Sequence, residues 1–248
     1  MRRQVALLLT AIQFLTSLPV TARRELSEDA LAESSRFFPL VGAIVAAGAI
    51  ALDLIVAPRA GRDVSVVLIM MYLVVITGGL HEDGLADAAD GFGGGWTRDR
   101  VLTIMRDSSI GTYGALAIGC SLLARFVFLT SLPDRTFHTV LIAGQVIGRW
   151  SMLPLAYWLP PARQEGGQGA RLAQRMSMTS LIVGTGCMAV VAVLATGFTA
   201  LVLIAIASGV VALAGTYYRR RIGGITGDCL GATCQLTELA VYLGAVVL

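Results

Sequence analysis

Lysine is missing from this 248-residue chain, and all 19 basic residues are arginine. Charge of either sign is scarce at 14% of residues, while hydrophobic residues reach 56% and mean hydropathy is +0.75. Those values exclude an ordinary soluble domain, in which about 25% of residues are charged. Cysteine is sparse too. Cys120, Cys187, Cys229 and Cys234 form no CxxC pair and lie in or beside apolar stretches, which argues for small buried hydrophobes and against a disulfide framework or thiolate metal site. No low-complexity tract, linker or internal repeat interrupts the chain, so a single membrane-embedded domain over 1–248 is the simplest description. A net charge of +3 calls for no nucleic-acid partner, because arginine-bearing loops on the cytoplasmic side account for it. Arginine suits phosphate recognition through its planar fork, although a coding bias explains most of its use here.

Long apolar runs fall near 4–20, 37–56, 64–80, 110–132, 137–159, 179–196, 199–217 and 229–248. Each is close to the ~20 residues that a bilayer requires, which predicts an all-α polytopic bundle of about seven or eight membrane segments in a lipid bilayer. Arg2-Arg3 followed by apolar residues resembles a signal peptide, but the further spans make a first membrane segment the better reading. That segment is the weakest: it holds Gln13, Thr16 and Ser17, and either crosses or lies in the interface. The polar stretch 21–36 suggests a short surface helix with Ser27 as its N-cap. Strict alternation puts loops 21–36, 81–109, 160–178 and 218–228 on one side with most of the arginines, the cytoplasmic side by the positive-inside rule. Arg2 and Arg3 dissent from that count.

Chemistry concentrates in those loops. His81-Glu82-Asp83-Gly84-Leu85-Ala86-Asp87-Ala88-Ala89-Asp90-Gly91 carries Asp83, Asp87 and Asp90 at i, i+4 and i+7, one face of a helix. Carboxylates stacked this way repel, so three readings stand: a site for Mg²⁺ and a diphosphate, an ion pathway, or a solvated helix start. Gly91-Phe92-Gly93-Gly94-Gly95 is either a mobile phosphate loop or a plain flexible one. Arg106, Asp107 and Ser108 open the next span, where Asp107 is a metal ligand, a base or a cap, and Ser108 a phosphate contact. Gly223, Gly224, Thr226 and Gly227 precede Asp228 at a helix start, an arrangement suited to an anion, with Asp228 a metal ligand or the N-cap. Depth counted along the spans pairs Arg149 with Glu238, the substrate-facing candidates, and Asp53 with Arg125. His81 is placed to bond phosphate or orient a carboxylate, and His138 is given no role.

Together these segments resemble the cobalamin synthase family, the adenosylcobinamide-GDP ribazoletransferases. The resemblance rests on Gly78-Gly79-Leu80-His81 through Gly91, on Ile104-Met105-Arg106-Asp107-Ser108 with Ile110-Gly111-Thr112-Tyr113-Gly114, and on Gly223-Gly224-Ile225-Thr226-Gly227-Asp228 with Leu230-Gly231-Ala232. Weaker echoes are Phe14-Leu15-Thr16-Ser17-Leu18-Pro19, Arg36-Phe37-Phe38-Pro39-Leu40-Val41-Gly42 and Arg149. It implies a bacterial inner-membrane enzyme that joins adenosylcobinamide-GDP to α-ribazole or its 5′-phosphate, with Mg²⁺ as cofactor and GMP released. Asp83, Asp87 and Asp90 then serve Mg²⁺ and the diphosphate, with Asp107 or Asp228 completing the metal shell or accepting the hydroxyl proton; Glu82 receives no catalytic role. A homo-oligomer is compatible with this reading. Asp87-Ala88-Ala89-Asp90-Gly91 also matches the opening of the CDP-alcohol phosphotransferase signature, but the rest of that signature is absent. A lipid phosphotransferase or prenyltransferase, and a cation or corrinoid transporter, are the rival readings.

Overall fold

A computed structural model describes residues 2–20, 30–163 and 168–248. Arg23, Arg24 and the anticipated Ser27 cap lie outside these residues. The chain forms α1 (Arg2–Leu15), α2 (Ala30–Ser34), a 3-10 turn, α3 (Phe38–Ala60), α4 (Arg62–Thr77), α5 (Leu80–Gly94), α6 (Arg98–Ile104) and α7 (Thr112–Ser131). It continues as α8 (Asp134–Trp150), α9 (Met152–Trp158), α10 (Gln168–Arg175), α11 (Met178–Thr196), α12 (Thr199–Ile222) and α13 (Gly227–Val247). Among the described residues no strand forms, and a single bridge joins Pro161 to Ile225.

Among the described residues five stretches are long and apolar enough to cross a membrane: Ala30–Ala60, α7, α11, α12 and α13. The protein is therefore an all-α, multi-pass membrane protein. The eight sequence windows exceed these five because α1 has only 14 residues and the window at 137–159 breaks at Ser151 into a 17-residue α8 and the short α9. α4 and α5 qualify only as a pair, bent by 86°. Gly78 (φ +63°) and Gly79 (φ +69°) make that bend in left-handed backbone, which costs an L-residue roughly 1–2 kcal/mol. α5 bears four carboxylates and leaves the direction of the apolar α4, so we read it as a helix at the membrane boundary and not as a span.

Two packing features place the site. α8 runs through the middle of the bundle, against α3, α11 and α13, with Phe137, Leu141, Val146 and Ile147 fully buried. α5 lies against α13 where Gly84 meets Gly231; a Cβ on Gly84 would stand 3.1 Å from both the Gly231 Cα and the Asp228 carbonyl oxygen. This contact brings the first turn of α13 beside the acids of α5.

α1 does not cross. Leu7, Ala11 and Leu15 recur every four residues and bury one stripe of it. Beyond its C-terminal end, the Ser17 hydroxyl donates to the Val75 carbonyl at 2.9 Å; near its N-terminal end, Arg3 pairs with Glu33 at 2.7 Å. Both ends thus meet the face where α3 begins and α4 ends, and Arg3 joins the arginine-rich side from which it had dissented.

The two depth-based ion pairs are corrected. Arg125 binds Glu238 (3.2 Å) and Glu82 (3.4 Å) and donates to Gln235, while Arg149 turns back along α8 to the Gln145 side-chain oxygen (2.7 Å). Helical side chains lean toward their own N-terminus. α7 and α13 start at the acidic face and α8 starts at the opposite one, so Arg125 reaches toward that face and Arg149 away from it. Equal Cα depths therefore did not mean equal charge depths. Asp53 is held at the other end of the bundle by Ser65 (2.6 Å), Arg62 (3.1 Å) and Nε2 of His138 (2.8 Å).

Candidate active site

Asp83 is exposed, Asp87 half-buried and Asp90 buried, in keeping with a helix that shows one edge of its acidic row to solvent. Asp83 and Asp87 line a cavity of about 620 Å³ together with Phe14, Gly78, Gly79 and Ser108. The Asp87 carboxyl is pushed up to about 7, first by burial and then by the charges of Asp83, Asp228 and Asp90, with Arg163 opposing. Asp83, Asp228 and Asp90 thus all bear on Asp87, with Arg163 the cation set against them. Among the described residues no three His, Cys, Asp or Glu side chains stand close enough to hold a metal ion together.

Asp90 faces a different task. One of its carboxylate oxygens accepts from the Gly111 N–H (2.7 Å) and the other from the Gly114 N–H (2.8 Å), so it anchors the N-terminal turn of α7. Asp228 stands in the first turn of α13, where the Thr226 hydroxyl lies 3.1 Å from its carboxylate and also accepts from the Cys229 N–H (3.2 Å). Thr226 is therefore the cap of α13, and Asp228 is left to face Asp87 and Arg163.

Several candidates serve packing. Gly93 and Gly94 end α5 as helical residues, so the expected phosphate loop is not a loop; Gly93 abuts the Tyr113 ring and Gly94 the Ile104 side chain. Gly223 closes α12 in left-handed backbone (φ +73°), and Gly224 lies so close to the Pro160 carbonyl that a side chain would collide with it. That approach lets the Ala162 N–H reach the Ile225 carbonyl (2.8 Å) and the Ile225 N–H reach the Pro160 carbonyl (2.9 Å). Gly227 is the exposed first residue of α13.

The remaining candidates divide between surface and interior. Asp107 is exposed, and its carboxylate accepts from the Ser109 N–H (2.9 Å), which holds its pKa below the ordinary value; it does not join the four coupled acids. Arg106 is exposed near Arg163, and Ser108 reaches the cavity. His81 is buried, with Nε2 unpartnered, and is pushed down to about 3 by burial and by the Arg149 and Arg125 charges, so it is a neutral imidazole at pH 7. Arg149 and Glu238 are buried in the same interior, off the cavity wall.

Residues 7–246 match the family described as cobalamin-5-phosphate synthase. The chain belongs to that family. Three relatives carry the name adenosylcobinamide-GDP ribazoletransferase. The Leptothrix cholodnii protein is 41% identical, with 97% of this chain and 95% of its own covered. The Shewanella woodyi protein is 38% identical (98% and 96%), and that of Pseudoalteromonas atlantica 36% (98% and 92%). No solved structure matches. As a member of that family the chain is a transferase.

Two features of the site carry no clear signal in the sequence. Arg163 stands beside Asp228 and Asp87; it donates to the Leu102 carbonyl (2.8 Å), keeps a buried Nε without a partner, and is held below the usual arginine pKa first by burial. Only the pair Pro160-Pro161 before it hints at a fixed backbone there. The second feature is a clamp. Arg98 donates to the Ile222 (3.0 Å) and Ala162 (2.6 Å) carbonyls, and Arg221 to that of Gly95 (2.7 Å). These two arginines thereby tie the α5–α6 turn, the 160–163 segment and the α12–α13 turn together.

Proposed function

We propose that this chain joins adenosylcobinamide-GDP to α-ribazole or its 5′-phosphate, releasing GMP, at a site on the cytoplasmic side of the bacterial inner membrane, with Mg²⁺ as cofactor. The observation that supports it best is the Asp83–Asp87–Asp228 group: undercompensated carboxylates facing one another beside an open cavity, in a chain whose relatives bear the ribazoletransferase name. The donor set fits magnesium, a hard cation that takes one or two carboxylates plus substrate phosphates and needs no closed cage. Asp83 and Asp87 would hold it, and the ion would neutralise charge on the diphosphate as the leaving group departs.

The ribazole hydroxyl oxygen forms a bond to the phosphorus that carries the cobinamide, and the bond from that phosphorus to the GMP oxygen breaks. Such a transfer is governed by positioning and charge neutralisation. Arg163 offers its guanidinium to the nucleotide phosphates, and Asp228, fixed by Thr226, is placed to accept the hydroxyl proton. Asp90 positions: by anchoring α7 it holds the Ser108–Gly111 segment at the cavity.

The test is GMP release from adenosylcobinamide-GDP plus α-ribazole by purified protein, with and without Mg²⁺. Wild type releases GMP only with the cation, and Asp87→Asn loses at least about 100-fold in kcat, the scale of one electrostatic contact to a reacting group. No GMP release by folded wild-type protein overturns the activity, and near-wild-type turnover in Asp87→Asn overturns the role given to that residue.

A further inference from the structure

We propose that the groove between α9 and α12 binds an anionic phospholipid, its acyl chain along α12 and its phosphate on Arg219. The groove encloses about 510 Å³ between Trp150, Leu155 and Trp158 on one wall and a stripe of α12 on the other. Ser208, Ala212, Gly215 and Arg219 form that stripe at intervals of three or four residues, which keeps them on one face. From Ser208 to Arg219 it rises about 16 Å, along the direction an acyl chain takes beside a spanning helix.

The lining is apolar until the mouth. The Ser208 hydroxyl donates to the Ile204 carbonyl and that of Thr216 to the Ala212 carbonyl, both 2.8 Å within α12, so neither is offered to a polar ligand. Arg219 is exposed, and its guanidinium makes no hydrogen bond or ion pair to any described residue. Trp158 stands beside it, 66% exposed, as indoles do at a membrane boundary. One uncompensated cation above an apolar trough is complementary to a single anionic headgroup and offers nothing to the positive end of a zwitterionic one. Only 22% of the apolar window of α12 is buried within the protein, so the groove opens toward lipid.

The experiment compares dioleoyl-phosphatidylglycerol with dioleoyl-phosphatidylcholine by native mass spectrometry and thermal shift of the full-length protein. Phosphatidylglycerol is retained and raises the melting temperature more than phosphatidylcholine does. Arg219→Ala lowers that preference about fivefold, the effect of one arginine near a charged surface, while the neighbouring Arg220→Ala leaves it unchanged. Gly215→Leu fills the trough and releases both lipids. Inorganic phosphate does not compete. An unchanged preference in Arg219→Ala, lipid retained in Gly215→Leu, competition by phosphate, or a dimer cross-linked through Trp158→Cys each overturns the assignment.

Discussion

Asp83, Asp87 and Asp90 share one helical row, yet the surroundings give them different work. Asp90 spends its charge on two backbone amides. Asp87 has no such donors among the described residues and is instead raised from 3.8 to about 7 by burial and by its acidic neighbours. A carboxyl whose folded pKa exceeds its unfolded value binds its proton more tightly when folded, so its contribution to stability declines as pH rises from about 4 to about 7. Without divalent cations, the melting temperature of wild type should therefore fall across this window relative to Asp87→Asn, which removes the titrating group. Above pH 7 Mg²⁺ should recover the difference in wild type and not in the variant. Thermal-shift measurements from pH 5 to 8 check both, and parallel curves for the two proteins would remove Asp87 from the coupled group.

The helices themselves were legible, because apolar windows of membrane length can hardly be anything else. So was the convergence of the acidic turn with the two later turns, since strict alternation already put them on one side. What the sequence left hidden is direction within an element. Arg125 and Arg149 have Cα positions whose depths suggest one set of partners, while helices of opposite polarity swing their guanidinium groups toward another. Glu82 was given no catalytic role, yet it accepts from the Gln235 amide at 2.9 Å and pairs with Arg125, fastening α5 to α7 and α13. Arg163 was hidden for another reason: its place depends on a close approach of backbones at Gly224 that no periodicity reports. At this scale a double-mutant cycle discriminates. Arg125→Ala with Glu238→Ala should couple by ~1–3 kcal/mol, as residues in one buried network do, and Arg149→Ala with Glu238→Ala by clearly less. The reverse order would restore the depth-based pairing.

At the scale of the whole molecule, charge separates by face. Arg3, Arg36, Arg98, Arg106, Arg163 and Arg219 to Arg221 gather with the candidate site, whereas Arg62 on the other side is consumed by Asp53 and by Asp134 at 2.6 Å. The opposite face keeps little positive charge beyond Arg59 and Arg135, so the positive-inside rule favours a cytoplasmic site more strongly once Arg3 changes sides. The placement of α1 is what decides this, and it can be read in cells. In a cysteine-free background, Gln4→Cys and Trp96→Cys, both at exposed positions on the site face, should resist a membrane-impermeant maleimide in intact cells and react after lysis. Arg135→Cys, exposed at the start of α8, should react in intact cells. Labelling of Gln4→Cys with protection of Trp96→Cys would make α1 a true span, and labelling of Trp96→Cys with protection of Arg135→Cys would turn the whole bundle over.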